Sequence, residues 1–240
     1  MIKLILNGAN GKMGQTVTSV CNQSKTIEII FGADMDSPIA GAPRNADAIL
    51  DFSTASALPS VLGFAVENKI PLVLATTGYT DEQIHQISEA GKFIPILKSA
   101  TMSIGANLLM KLSAISAQVL GESFDAEILE KHHNEKIDAP SGVALALANS
   151  IANVKETREL IFERAGNRGK REPSEIGISS IRGGTIVGEH TAIFAGQGEV
   201  IELTHKAESR EIFARGALKA VEFIVGKPAG LYTMQDVIEI

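Results

Sequence analysis

The sequence predicts an α/β fold with a parallel sheet in its first part and a mixed, largely antiparallel sheet in its second part. In residues 1–103, short apolar runs alternate with segments of helical periodicity, which is the rhythm of a parallel sheet with crossover helices. In residues 161–205, short β-like runs are separated by glycine turns, a pattern typical of antiparallel strands. With 240 residues, the chain has room for two domains.

The first domain should contain five strands with helices between them. The expected strands are Ile2–Leu6, Ile27–Ala33, Ala48–Phe52, Leu72–Ala75 and Ile94–Leu97. The expected helices pass through Val17 and Val20 and cover Leu58–Asn68 and Asp81–Gly91. We place the end of this domain near residue 103, and the helical pattern Arg210–Val225 could rejoin it.

The second domain should combine helices with a sheet, that is, an α+β arrangement. A long amphipathic helix is expected over Ala106–Leu120. The expected strands are Phe124–Leu129, Ile161–Phe162, Ile176–Arg182, Thr185–Gly188, Thr191–Gly196 and Glu199–His205.

Composition limits the classes of partner. The formal net charge of −6 argues against nucleic-acid binding, which depends largely on Lys and Arg neutralising phosphates. The single cysteine, Cys21, excludes an intrachain disulfide and a multi-cysteine zinc site. We find no apolar run of the roughly 18 residues that a membrane-spanning helix needs. A soluble cytoplasmic protein with a small-molecule partner is therefore expected.

A glycine-rich turn follows the first expected strand. Gly8, Gly11 and Gly14 form a GxxGxxG pattern, which permits a sharp turn and a close approach of main-chain N–H groups to a pyrophosphate. Asp34 ends the second expected strand, 34 − 14 = 20 residues after Gly14, where a carboxylate can bind an adenosine ribose. The pattern predicts dinucleotide binding in a Rossmann-like domain. A structural glycine turn, with Asp34 as a turn former, is the alternative.

The residues around Asp34 predict a preference for NADH over NADPH. A carboxylate repels the 2′-phosphate of NADPH, and Met35 and Asp36, which follow, offer no positive charge. Lys12, in the glycine turn, is the one nearby cation we identify that could support NADPH binding. Thr76 and Thr77 follow another strand, at the edge where open α/β sheets bind ligands, although a helix-entry turn would also explain them.

The segment 127–148 has the densest set of titratable groups in the chain. His132 can exchange a proton near neutral pH, and Lys136 can supply a second proton or a positive field. Ser141 and Gly142 stand at a helix start, where N–H groups attract anions, although Ser141 could be only a cap. The histidines could also be packing groups. The segment has neither an HExxH nor a G-x-S-x-G motif, so a zinc site and a serine nucleophile are weaker interpretations. We expect no metal.

Several motifs together resemble the dihydrodipicolinate reductases of the bacterial diaminopimelate and lysine pathway. The segment EKHHNEKIDAPSG at 130–142 joins GANGKMG at 8–14, and ATTG at 75–78, GEHT at 188–191 and LTHKA at 203–207 also fit. The likeness covers nearly the whole chain. Two positions depart from the family pattern: Val143 replaces a threonine and Thr101 replaces an asparagine.

The resemblance implies NAD(P)H-dependent reduction of 4-hydroxy-tetrahydrodipicolinate to tetrahydrodipicolinate with loss of water. It assigns a cofactor domain to residues 1–103 and 213–240, a substrate domain to 104–212, and a homotetramer to the assembly. It implies that His132 and Lys136 donate protons. The residues implied to contact the dicarboxylate substrate are His133, Ser141, Gly142 and Val143. The implied cofactor contacts are Gly8, Ala9, Asn10, Gly11, Lys12, Met13, Asp34, Ala75, Thr76, Thr77, Ser99, Ala100, Thr101 and Met102. Another small-acid dehydrogenase and a non-catalytic NAD(H)-sensing module are the alternatives.

Overall fold

The computed structural model describes residues 1–154, 159–166 and 169–238 and divides into two compact units. One unit consists of Met1–Ile104 and Arg210–Ile240, and the other of Gly105–Ser209. These limits lie within a few residues of the breaks expected after residues 103 and 212. The cofactor and substrate roles expected for the two parts stay predictions.

In the first hundred residues the described strands and α-helices alternate, except that a short 3-10 helix joins the second and third strands. The strands are β1 (Ile2–Asn7), β2 (Ile27–Ala33), β3 (Ala48–Asp51), β4 (Leu72–Leu74), β5 (Pro95–Lys98), β6 (Asp125–His132), β7 (Glu159–Ile161), β8 (Glu175–Arg182), β9 (Gly188–Ala195), β10 (Val200–Ala207) and β11 (Gly230–Tyr232). The α-helices are α1 (Lys12–Cys21), α2 (Leu58–Asn68), α3 (Asp81–Ala90), α4 (Ile104–Leu120), α5 (Gly142–Ala152), α6 (Glu211–Ile224) and α7 (Met234–Val237).

The first unit is built on a six-stranded parallel sheet in the order β11-β5-β4-β3-β1-β2. Successive residues of a strand face opposite sides, so Leu4 and Leu6 belong to one apolar core and Ile5 to a second one. Burial on both faces explains why these strands are continuous apolar runs. The neighbours of β1 are β2 and β3, and the crevice at the carboxyl end of β1 is the usual ligand position in such sheets.

The second unit contains a five-stranded mixed sheet in the order β10-β9-β6-β8-β7. The central strand β6 pairs antiparallel with β9 and parallel with β8. Apolar side chains of α4, α5 and the sheet form its core, including Leu109, Leu147, Ile128 and Phe194. The predicted fold class, a Rossmann-like parallel sheet followed by an α+β unit with a mixed sheet, is confirmed.

Some expected elements differ from the structure. Strand β6 continues to His132 instead of stopping at Leu129, because its polar last residues pair with β8 and β9 on both sides. The separate strands expected on either side of residue 190 are one strand, β9, and residues before Gly188 lie outside it. Strand β11 and helix α7 were not predicted, since each has only three or four residues.

One helix is long and apolar enough on average to span a membrane, although polar residues such as Asn107 and Lys111 interrupt it, so it contains no unbroken apolar run of about 18 residues. Ile104–Ser123, which is α4 with a following 3-10 turn, passes that test by length and composition, with mean hydropathy 1.2. Packed core helices of globular proteins pass the same test, and the second unit's core includes Leu109, Met110 and Ala117 of this helix. One such helix is weak support for a membrane segment.

Candidate active site

Two side chains at the end of β6 form the centre of the site in the second unit. Glu130 and His132 are two residues apart on a strand and therefore face the same side of the sheet. The Glu130 carboxyl is fully buried, and its Oε2 lies 2.6 Å from His132 Nδ1. His132 is only 8% exposed. The imidazole is thus held by a buried carboxyl group through one of its two ring nitrogens.

Arg182 holds the same carboxyl group from the neighbouring strand β8. Its Nη1 and Nη2 donate to Glu130 Oε2 and Oε1 at 2.9 and 2.7 Å, and Nη2 also donates to the Asp138 carbonyl at 2.6 Å. Burial by itself would raise the pKa of Glu130, but hydrogen bonds from Arg182, Ser180 and His132 lower it to about 2. Glu130 is therefore an anion at neutral pH.

The charge of Glu130 fixes the protonation pattern of His132. An ionised carboxylate only accepts hydrogen bonds, so Nδ1 of His132 must carry a proton, and Nε2 is the nitrogen that exchanges one. Burial lowers the pKa of His132, and Glu130 opposes that effect. A Cβ at Gly188 would lie 3.2 Å from Nε2, so the missing side chain at that position keeps space beside this nitrogen.

Ser141 and His190 complete the buried part of the site. Ser141 is the N-cap of α5: its Oγ accepts from Ala144 N at 3.2 Å and lies 3.0 Å from His190 Nε2. Its main-chain N–H donates to Glu130 Oε1 at 3.2 Å. The expected alternative, Ser141 as a helix cap, is present, and at 2% exposure its side chain has little surface for a ligand.

His190 should make the protein sensitive to acid. Burial, and to a smaller extent the charge of His132, lowers the pKa of His190 to about 4 from an ordinary 6.5. Below pH 6.5 the unfolded chain therefore binds a proton that the folded protein does not, so stability is present above that pH and lost towards pH 4. The full loss is about 3 kcal/mol.

Urea unfolding of wild type and His190→Gln between pH 7 and pH 4 checks this expectation. The fall in unfolding free energy should be smaller in the variant by about that amount. The stabilising effect of ionised Glu130 begins to be lost as the pH falls through about 4.5, in both proteins, and therefore cancels in the difference. Identical pH slopes for the two proteins would contradict the assignment.

The remaining residues expected to meet the substrate follow β6. Lys136 Nζ forms an ion pair with Asp138 Oδ1 at 2.7 Å, and the lysine side chain is 22% exposed. Gly142 is exposed at the first turn of α5, and a Cβ there would meet no atom within 4 Å. Val143 is partly buried against the core, and His133 Nδ1 is buried without a hydrogen-bond partner among the described residues. The start of α5 is thus open to an anion.

The glycine turn of the first unit has the geometry that a dinucleotide needs. Gly8 has φ +81°, which favours glycine, and a Cβ there would lie 2.6 Å from the Phe52 carbonyl oxygen. A Cβ on Gly14 would overlap the carbonyl oxygen of Gly8. Gly11 caps α1 without a side chain, so the start of that helix presents main-chain groups. Such a turn leaves room for a pyrophosphate.

Asp34 lies beside this turn and fits the ribose position. Its carboxylate accepts hydrogen bonds from Met35 N at 2.8 Å and Asn10 N at 2.9 Å, which lower its pKa. A cleft of about 860 Å³ is lined by Gly8, Asn10, Gly11, Asp34 and Met35, among others. The residues present therefore fit a nucleotide.

The same cleft contains a positively charged residue that the sequence did not indicate. Arg44 also lines it, with Nη2 at 3.8 Å from Glu67 Oε1 and a side chain that is 75% exposed. Lys12 is therefore not the one nearby cation. The sequence pattern missed Arg44 because it lies ten residues after Asp34, outside the turn and the strand end.

Several expected cofactor contacts have side chains that are engaged elsewhere. Thr76 is 7% exposed and donates to the buried Asp51 at 2.7 Å. Met102 is 3% exposed and belongs to the core, with its carbonyl oxygen against Gly216. Ser99 Oγ donates to the Thr101 carbonyl at 2.9 Å. At these positions the main chain, more than the side chain, is what a cofactor could contact.

The other positions expected to contact the cofactor are more accessible. Asn10, Gly11, Lys12, Thr77 and Ala100 are exposed, while Gly8, Ala9, Met13 and Ala75 are partly buried. The expected cofactor contacts at residues 8–13 lie together at the glycine turn, which the spacing of the glycines predicted.

Sequence reasoning did not assign roles to Glu130, Arg182, His190 or Asp51. Glu130 had a usable signal, because it precedes His132 by two residues directly after the expected strand, and a continuation of that strand would place both side chains on one face. Arg182 and His190 reach the site through strand pairing: His132 lies opposite Arg182, and Glu130 lies opposite His190. No local pattern reveals such a register.

Comparison with known proteins gives matches over nearly the whole chain. The family models "Dihydrodipicolinate reductase, N-terminus" and "Dihydrodipicolinate reductase, C-terminus" match residues 2–102 and 105–238. The chain is 47% identical over 249 residues to the 4-hydroxy-tetrahydrodipicolinate reductase of Caldanaerobacter subterraneus subsp. tengcongensis, covering 100% of the chain and 99% of the relative. It is 48% identical over 251 residues to the enzyme of the same name from Clostridium novyi, with the same coverage.

A solved structure shows the same likeness in three dimensions. A dipicolinate-bound dihydrodipicolinate reductase from Paenisporosarcina sp. TG-14 superposes with a TM-score of 0.79 at 25% identity, covering 99% of this chain and 100% of the other. Sequence and structure thus agree over the full length. The chain therefore belongs to the dihydrodipicolinate reductase family, and it is an NAD(P)H-dependent oxidoreductase of lysine and diaminopimelate biosynthesis.

Proposed function

We propose that this enzyme reduces 4-hydroxy-tetrahydrodipicolinate to tetrahydrodipicolinate with loss of water, and that His132 and Lys136 supply the protons. The observation that carries the proposal is the environment of His132. Its Nδ1 is bound to Glu130, while Nε2 lies where Gly188 leaves space. A proton can therefore be exchanged at one defined atom of a buried imidazole.

The start of α5 supports binding of a dicarboxylate. Main-chain N–H groups at a helix N-terminus attract anions, and the exposed Gly142 lets a carboxylate come close to them. Val143 contributes its N–H but no hydroxyl, unlike the threonine of the family pattern. His133 and Lys136 add hydrogen-bond donors on the segment before the helix. The solved relative bound to dipicolinate is consistent with a ligand that carries two carboxylates.

Lys136 has a different role from His132 in this proposal. Its ammonium is held by Asp138 at 2.7 Å and remains partly exposed, so it can turn towards an anionic substrate. A lysine is a point charge with rotatable donors and suits a partner that moves on binding. We assign to it the neutralisation of a carboxylate and the second proton donation.

The glycine turn and Asp34 would hold the dinucleotide, whose bound nicotinamide supplies a hydride to the substrate. Residues 8–13 would contact the pyrophosphate, and Asp34 would accept from the ribose hydroxyls. Ala75, Thr76 and Thr77, at the end of β4, and residues 99–102, after β5, would contact the rest of the cofactor through their main chain. We propose NADH as the preferred cofactor and NADPH as the alternative, because the ionised Asp34 repels a 2′-phosphate.

Steady-state kinetics with the product of dihydrodipicolinate synthase as substrate tests this proposal. Wild type should oxidise both cofactors, with the higher kcat/KM for NADH. Asp34→Asn removes the negative charge but keeps the shape, so its kcat/KM ratio of NADH to NADPH should fall by about 10-fold or more. Asp36→Asn, two residues later and exposed, is the matched control and should keep the wild-type ratio. Absence of turnover by wild type would refute the reaction, and a wild-type preference for NADPH would refute the cofactor assignment.

We also propose a cytoplasmic homotetramer assembled through the sheet of the second unit. The resemblance to dihydrodipicolinate reductases is the support for this assembly. Light scattering of the purified protein would measure its mass against the 25.4 kDa of one chain.

A further inference from the structure

We propose that Glu130, anchored by Arg182, is a positioning residue that holds His132 in the tautomer with a proton on Nδ1 and thereby presents Nε2 for proton transfer. The proposal rests on the function assigned above to His132. It adds a role for two residues, on β6 and β8, that do not themselves need to touch the substrate.

The hydrogen bonds of Glu130 fix its position. Both oxygens of Glu130 are occupied: Oε2 lies 2.6 Å from His132 Nδ1 and 2.9 Å from Arg182 Nη1, and Oε1 lies 2.7 Å from Arg182 Nη2 and 3.2 Å from Ser141 N. A carboxylate held at four points cannot rotate away from the imidazole. The ring of His132 is therefore fixed in one orientation as long as Arg182 keeps the carboxylate in place.

Arg182 also keeps Glu130 ionised. A fully buried carboxyl group would ordinarily take up a proton to avoid its desolvation cost. The two-pronged contact with Arg182 removes that tendency, because a guanidinium matches both carboxylate oxygens at once. Glu130 thus stays an acceptor, and an acceptor at Nδ1 selects a single tautomer of His132.

Glu130 and Arg182 also hold the short segment that follows Lys136. Arg182 also donates to the Asp138 carbonyl, and Glu130 also accepts from the N–H of Ser141. One ion pair therefore fastens both ends of the stretch between Asp138 and Ser141. The orientation of the imidazole and the position of the α5 start are set by the same two side chains.

The groups that face His132 all bear on its proton affinity. Glu130 raises it, while Lys136 and Arg182, both cationic, lower it. His190, whose ring centroid lies 5.2 Å from that of His132, is a further titratable neighbour. Of these groups, Glu130 is the one that favours the imidazolium, so removing its charge should make His132 a weaker base.

Glu130→Gln tests the proposal by two readouts that a merely structural role would leave unchanged. The first is the alkaline limb of the pH profile of kcat/KM, which should move to lower pH because His132 loses its proton earlier. The second is the ¹⁵N chemical shifts of labelled His132 without substrate, where the share of the Nδ1–H tautomer should fall. We expect kcat to fall by about 10- to 100-fold, with the dissociation constant of NADH unchanged.

The control is Glu175→Gln, a glutamate of the same sheet that also pairs with an arginine. Glu175 Oε2 lies 2.7 Å from Arg164 Nη1, and arginines are the charged groups that lower its pKa. It should keep the wild-type pH profile and tautomer. If Glu130→Gln does not fold, Glu130→Asp carries the test, because its shorter side chain keeps the charge but withdraws from Nδ1. It should shift the tautomer in the same direction with a smaller loss of kcat.

The outcomes separate this proposal from the one on which it rests. If a folded Glu130 variant keeps the wild-type tautomer of His132 and the wild-type alkaline limb of the pH profile, the role of Glu130 is overturned even if kcat falls. Wild-type activity in His132→Gln would instead overturn the assignment of His132 as proton donor. A shifted tautomer together with a shifted limb supports Glu130 as the positioning residue.

Discussion

His132→Gln is expected to lower kcat by about 10²- to 10⁴-fold, the contribution usual for a positioned general acid. Glutamine can occupy the same volume and hydrogen-bond to Glu130, but it has no proton to give near neutral pH. Binding of NADH should be unchanged, because the residues expected to hold the cofactor lie in the first unit, which is a separate compact body. Stopped-flow single turnovers would measure the chemical step directly.

His85→Gln provides the matched control for this change. His85 lies on α3 in the first unit and is exposed, so the same replacement should leave kcat within about twofold of wild type. A loss of kcat below about tenfold in His132→Gln, with folding intact, would mean that another group donates the proton. Lys136→Ala would then be the next variant to measure.

Gly14→Ala is expected to raise the dissociation constant of NADH by at least about 10-fold, or about 1.4 kcal/mol. An added Cβ would overlap the Gly8 carbonyl oxygen and lie 2.6 Å from that of Ala9. Both are main-chain atoms of the turn, which cannot yield as a flexible side chain would. The turn must therefore shift, and the N–H groups expected to hold the pyrophosphate shift with it. Fluorescence titration with NADH measures the effect.

Gly63→Ala makes the same chemical change where space is available. Gly63 lies within α2, and a Cβ there would meet no atom within 4 Å. Alanine in a helix interior should raise the unfolding free energy by about 0.5–1 kcal/mol and leave NADH binding unchanged. Wild-type affinity in Gly14→Ala would show that the turn does not hold the cofactor. Thermal unfolding of both variants separates lost binding from lost folding.

The local periodicity of apolar residues was sufficient to predict most helices and strands of the first unit. The apolar runs at β1 to β5 and the helices α2 and α3 were expected within a few residues of their observed limits, because strands buried on both faces leave a continuous apolar signal. The apolar pattern did not predict the strand residues that are polar. Residues 130–132 are polar and were expected beyond the strand, yet they are its last three residues.

The candidate site was also predicted only in part. The sequence singled out His132, Lys136 and the α5 start as candidates, since these residues lie within eleven positions of one another, and it singled out the glycine turn with Asp34. It did not show that the side chain of Thr76 donates to Asp51 or that the side chain of Met102 belongs to the core. Those contacts arise from residues distant in the chain.

The sequence by itself determined the fold class and the chemistry-bearing segments, because these depend on composition and short-range spacing, and the resemblance of several short motifs indicated the family. Only the tertiary structure decided that Glu130 is ionised, that Arg182 clamps it and that His190 is buried beside it. These three residues meet because β6 pairs with β8 on one side and β9 on the other. The register between strands depends on the packing of the whole sheet, and no local pattern in the chain records it.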